Sequence, residues 1–106
     1  MKATISYALT NVSEELEFLS KWHLWEECRS EILLARAQRV IHKTTLFVGG
    51  IKGIRESWMW KIINLALSNA HRDITKLADS KDPIELKYKK YCDIMEQYND
   101  DIDGLV

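Results

Sequence analysis

The spacing of apolar positions predicts helix along nearly the whole chain. Val12, Leu16, Leu19, His23, Leu33, Leu34, Ala37, Val40, Ile41 and Val48 recur in one helical phase, and no Gly or Pro interrupts residues 12–48. Glu26 and Ser30 fall on the apolar side of that stripe and notch it. Two arrangements fit. One is a single long bent helix; the other is a pair of helices, about 12–28 and 30–48, that meet near Cys28–Ser30. The unbroken phase favours the first, and ordinary helix length favours the second. Asn11 or Ser13 is placed to cap the start, with Glu14 and Glu15 suited to the positive end of the helix dipole.

Gly49–Gly50 end this pattern, as glycine does just past a helix C-terminus. A helix over 54–79 follows. Its apolar residues, from Trp58 and Met59 through Ile62, Ile63, Leu65, Ala66, Leu67 and Ala70 to Ile74 and Leu77, cover about half the circumference. That width predicts the central helix, with Trp58 turned inward. In "DSKDPIELKY" Asp82 is placed to cap, Pro83 to take the first helical position and Glu85 to close a capping box. The last helix, 83–99, carries Ile84, Tyr88, Tyr91, Met95 and Tyr98 at alternating steps of four and three, and Ile102 continues the series. Residues 1–10 read as a flexible arm, although an extra helical turn also fits. Residues 100–106 read as an acidic tail. The expected fold is all-α, a three- to four-helix bundle forming a single helical domain.

Composition narrows the function classes. With 106 residues, 46% apolar and 29% charged, the chain has the makings of a packed core and is not disordered. Four glycines and one proline are too few for the turns of an all-β protein. The net charge of −1 exerts no global pull on nucleic acid or acidic lipid. Its distribution is uneven, however. Residues 29–61 hold seven cations against two anions, while residues 1–28 hold two against five and residues 62–106 hold six against nine. Two cysteines make no disulfide framework, and the N-terminal residues lack a secretory apolar core. These features point to a reducing cytoplasm, of the protein's own cell or of a host, and to no membrane partner.

Candidate chemistry is sparse. "VGGIKGIRE" brings three glycines together with Lys52 and Arg55, a possible anion contact. It matches neither the GxxxxGK[ST] loop nor a dinucleotide fingerprint preceded by a strand, so it reads as a joint between helices. In "KWHLWEEC" His23, Glu26 and Cys28 sit at helical spacing but supply too few metal ligands. No histidine has a Glu three residues before it, so a di-iron site fails. No catalytic, cofactor-binding or metal set emerges, and the chain is expected not to be an enzyme.

The aromatic residues carry more information. Trp22/Trp25 and Trp58/Trp60 form two pairs. Trp25 leaves the main stripe beside Phe18 and Ile32, and Trp60 lies nearly opposite Trp58 on its helix. A bundle this small does not readily bury both faces of one helix, and Trp, Tyr and Arg dominate interface energetics. Arg36 and Arg39 add a basic flank, with Lys43 on the same side. The expected contact set is therefore Phe18, Trp25, Ile32, Arg36, Arg39 and Trp60. The expected function is a non-enzymatic protein-binding module, an inhibitor, adaptor or regulator with the profile of small immunity proteins and phage-encoded inhibitors. That comparison is one of size and composition. The alternative is nucleic-acid binding through segment 29–61, and a homodimer is a third possibility.

Overall fold

The computed structural model describes residues 2–106. Its long elements are α1 (Lys2–Leu19), α3 (Ser30–Gly49), α4 (Trp58–Asp79) and α5 (Ile84–Ile102). A six-residue α2 (Trp22–Glu27) and the short 3-10 turns Ile54–Glu56 and Asp103–Leu105 complete the described chain. α1 packs on α3 and α5, and α4 also packs on α3 and α5. The helices thus form a ring in which successive long helices run antiparallel, with α1 diagonal to α4 and α3 diagonal to α5. The all-α bundle is as expected.

Each long helix is held by one apolar stripe. Ile5, Leu9, Val12, Leu16 and Leu19 of α1 meet Leu34, Ala37, Ile41 and Val48 of α3 in the common core. Ile63, Leu67 and Ile74 of α4 and Tyr91 and Tyr98 of α5 complete it. Each buried Ile or Leu contributes about 1.5–3 kcal/mol, far more than the helix propensity of any one residue.

Several local expectations are corrected. Residues 2–10 are not an arm but the first half of α1, since Ile5, Ala8 and Leu9 continue the stripe inward. Asn11 and Ser13 therefore cap nothing; Ser13 Oγ lies 2.7 Å from Asn99 Oδ1 and ties α1 to α5. The tail is also anchored, with Ile102 and Leu105 buried. Asp82 does not cap α5. Pro83 takes the N-cap position, and Asp82 accepts a 2.7 Å bond from Lys90 Nζ instead. The cap of α4 is Ser57, whose hydroxyl accepts from the Met59 N–H at 3.2 Å.

The stretch between α1 and α3 breaks twice. The second break, at Cys28–Arg29, falls where the polar notch allowed one, and both residues have extended ψ. The first, at Ser20–Lys21, has another origin. The Ser20 N–H and hydroxyl both turn back to the Glu17 carbonyl, at 3.0 and 2.6 Å, which tightens the last turn. Three carbonyls near this end then accept from side chains. Tyr91 Oη donates to Leu16 at 2.7 Å, Trp25 Nε1 donates to Leu19 at 2.7 Å, and Tyr88 Oη donates to Ser20. Aromatic donors from α2 and α5 thus satisfy groups that a continuing helix would otherwise pair.

Candidate functional site

The glycine segment resolves as a joint. Gly53 has φ 83°, a left-handed turn that any side chain would strain. A Cβ on Gly49 would lie 3.1 Å from the Trp60 ring and 3.3 Å from the Arg55 guanidinium, so a side chain there would push both back by a few tenths of an ångström. Arg55 closes the joint: its Nε donates to the Gly49 carbonyl at 3.2 Å, and its guanidinium lies 5.2 Å from the Trp60 ring centre. Arg55 and Trp60 are thereby engaged with each other, while Lys52 projects from the loop into solvent.

Trp25 was expected on a contact surface, and this is corrected. It is 2% exposed, packs against Tyr88 and Tyr91 with ring centres 5.5 and 5.3 Å away, and spends its N–H on Leu19. Trp58, expected to point inward, is 70% exposed at the first position of α4. With Ile62 and Leu65 it forms an apolar strip at steps of four and three that the sequence reading placed in the core.

Four of the six expected contact residues do come together. Phe18 and Ile32 are exposed at one end of the α1–α3 seam. Lys21 Nζ stands 5.2 Å and the Arg36 guanidinium 5.8 Å from the Phe18 ring centre. Arg36 also donates to Glu15 at 3.0 Å across the seam. Beyond it Arg39, Val40 and Lys43 line a shallow recess with Glu15 and Arg36. That recess shares Val40 and Lys43 with a groove of about 310 Å³ whose other walls are Tyr7, Ala8, Asn11, Thr44 and Phe47. Tyr7 and Phe47 are 70% and 56% exposed.

The face is thus continuous. One row runs Tyr7, Asn11, Glu15, Phe18 on α1; an antiparallel row runs Phe47, Lys43, Val40, Arg36, Ile32 on α3. Both rows step by three and four, the side-by-side spacing of a helix surface. Sequence reasoning missed Tyr7 and Phe47. Tyr7 falls in the stretch that the sequence pattern reads as an arm, and Phe47 falls one residue before the inward Val48.

Two buried tyrosines, one thiol and one carboxylate are displaced from their ordinary pKa ranges. Burial raises the Tyr91 and Tyr98 hydroxyls far above the ordinary tyrosine range, so both stay protonated as donors. Burial also raises the Cys92 thiol, with the neighbouring Tyr88 as a weaker, opposing influence, which works against a thiolate nucleophile. The hydrogen bond from Lys90 lowers Asp82. Among the described residues no three His, Cys, Asp or Glu side chains gather as a metal-ligand set. Nor is any described helix long and apolar enough to cross a membrane. Comparison with protein-family models, with curated proteins and with solved structures finds no match to the chain.

Proposed function

We propose that this chain is a small cytoplasmic protein-binding module, an inhibitor, adaptor or regulator of a larger protein, and that its docking surface is the α1–α3 face. It acts by occupying a partner rather than by chemistry of its own. One observation carries the reading. Apolar side chains of two adjacent helices, Tyr7 and Phe47 at one end and Phe18 and Ile32 at the other, stay in solvent on a single face with cations between them. Apolar groups framed by charge are the anatomy of a recognition patch. The core closes without these residues.

Affinity capture from native lysate, with and without nuclease, tests this reading. A protein retained in both conditions and released when Phe18 and Phe47 are changed to Ala supports it. Retention that disappears with nuclease transfers the face to nucleic acid, for which Arg36, Arg39 and Lys43 are a suitable but short row of cations. The Trp58–Ile62–Leu65 strip favours self-association as a second reading. Light scattering at twice 12.4 kDa, reverting on Trp58→Ala, would establish that instead.

A further inference from the structure

We infer that the occupant of the α1–α3 face is an acidic amphipathic helix of a partner protein, three to four turns long, seated lengthwise in the groove. The inference rests on the docking reading above and specifies what docks.

Length comes first. The α1 row spans residues 7–18 and the α3 row residues 32–47. At 1.5 Å rise per residue these rows measure roughly 16 and 22 Å, the length of about 11–15 helical residues. Two antiparallel helices side by side leave a straight trough, the same shape into which a third helix packs within bundles. The face offers no free strand edge, so an extended peptide would have no backbone ladder to join.

Chemistry runs along the same axis. Both ends are apolar and aromatic, and the middle is cationic. Glu15 already neutralises Arg36 at 3.0 Å, whereas Arg39 and Lys43 have no salt-bridge partner among the described residues. A complementary helix therefore carries apolar residues in its first and last turns and Asp or Glu between them on the same face. Nucleic acid fits less well, because the groove floor includes Ala8, Val40 and Thr44 and offers phosphates only a short row of cations. A second copy of this chain fits less well too. Asp93, Glu96 and Asp100 of α5, continued by Asp103 in the closing turn, make an exposed acidic stripe, but its exposed apolar neighbours are only Leu86, set off by the cations Lys89 and Lys90, and Val106, a poor match to the two aromatic ends of the groove.

The test uses fluorescence anisotropy with labelled, lactam-stapled 15-residue peptides. One carries Leu and Phe at both ends of one face with Glu between them. A second replaces each Glu by Lys. A third scatters the same residues as the first around the helix. A 15-nucleotide single-stranded RNA is the fourth probe. The first peptide is expected to bind at least tenfold more tightly than the other three probes. Arg39→Glu combined with Lys43→Glu, or Phe47→Ala alone, is expected to weaken it at least tenfold. Glu96→Lys on α5 is expected to change nothing, with circular dichroism and unfolding midpoints showing that each variant is folded. Arg39→Gln, a milder change, is expected to weaken binding by a smaller factor. Equal binding of the three peptides, tighter binding of RNA, or a mass above the monomer that excludes the peptide would overturn the inference. If the peptides fail while Phe47→Ala still releases a protein captured from lysate, the helical occupant is wrong and the docking face stands. If Phe47→Ala changes neither, both are wrong.

Discussion

Trp25, Tyr88 and Tyr91 each do two jobs at once. Their rings close the end of the core where α1, α2 and α5 meet, and their polar atoms satisfy carbonyls near the C-terminal end of α1. Tyr91→Phe keeps the ring but leaves the Leu16 carbonyl unpaired in the interior. The expected loss is about 1–3 kcal/mol by urea unfolding. Trp25→Ala removes ring and donor together and should cost about 3–5 kcal/mol, marking it as core rather than contact. Tyr91 and Tyr98 also set an alkaline limit. Their folded-state pKa values lie above the unfolded tyrosine value of about 10. Their contribution is thus complete below that pH and is lost as pH rises above it, when the unfolded chain releases phenolic protons that the fold retains. Unfolding followed by phenolate absorbance should become cooperative above pH ~10, and Tyr98→Phe should shift it upward relative to its own stability at neutral pH. At the two thiols, exposed Cys28 should react with a disulfide reagent well before half-buried Cys92.

At the scale of the element, α1 shows what was legible and what was not. The step of three and four through Val12, Leu16 and Leu19 extends back through Leu9 and Ile5, so the helix was written in the sequence to its first turn. The polar residues Thr4, Ser6 and Thr10, poor helix formers, masked it. The end of α1 was not locally legible. No Gly or Pro stands at Ser20–Lys21, and two of the donors that satisfy the carbonyls there, the Tyr88 and Tyr91 hydroxyls, lie on α5, far along the chain. Losing that break misphased α2. Trp25 does not share the phase of the α1 and α3 stripes, because one break separates it from α1 and the other from α3. On α4 the half-circumference apolar face predicts a central helix, whereas α4 is one corner of the ring, packed on α3 and α5 among the long helices. Only the side bearing Ile63, Leu67, Ala70, Ile74 and Leu77 is closed by neighbours, and Trp58, Ile62 and Leu65 form its open shoulder. Ile5→Ala is therefore expected to cost about 2–5 kcal/mol, as for any core position. Hydrogen exchange should find the amides of residues 8–12 protected, where an arm would exchange freely.

The whole molecule separates a closed core from two open apolar surfaces, the α1–α3 face and the α4 shoulder. The basic middle of the sequence maps largely onto α3 and the joint after it, and the acidic C-terminal part onto α5, the helix diagonal to α3. Charge is thereby placed on opposite sides of the bundle, which orients an approaching partner without a large net charge. The proposed role of Phe18, Ile32, Arg36 and Arg39 rests on this arrangement, with Tyr7, Lys43 and Phe47 extending the same surface.

The most direct test measures partner affinity and unfolding free energy together for two double variants, Lys43→Glu/Phe47→Ala on the α1–α3 face and Leu86→Ala/Glu96→Lys on α5. The account predicts that both variants unfold within about 1 kcal/mol of the parent, and that only the first loses the captured partner. Equal retention by the two, or loss of binding by the α5 variant alone, would contradict it.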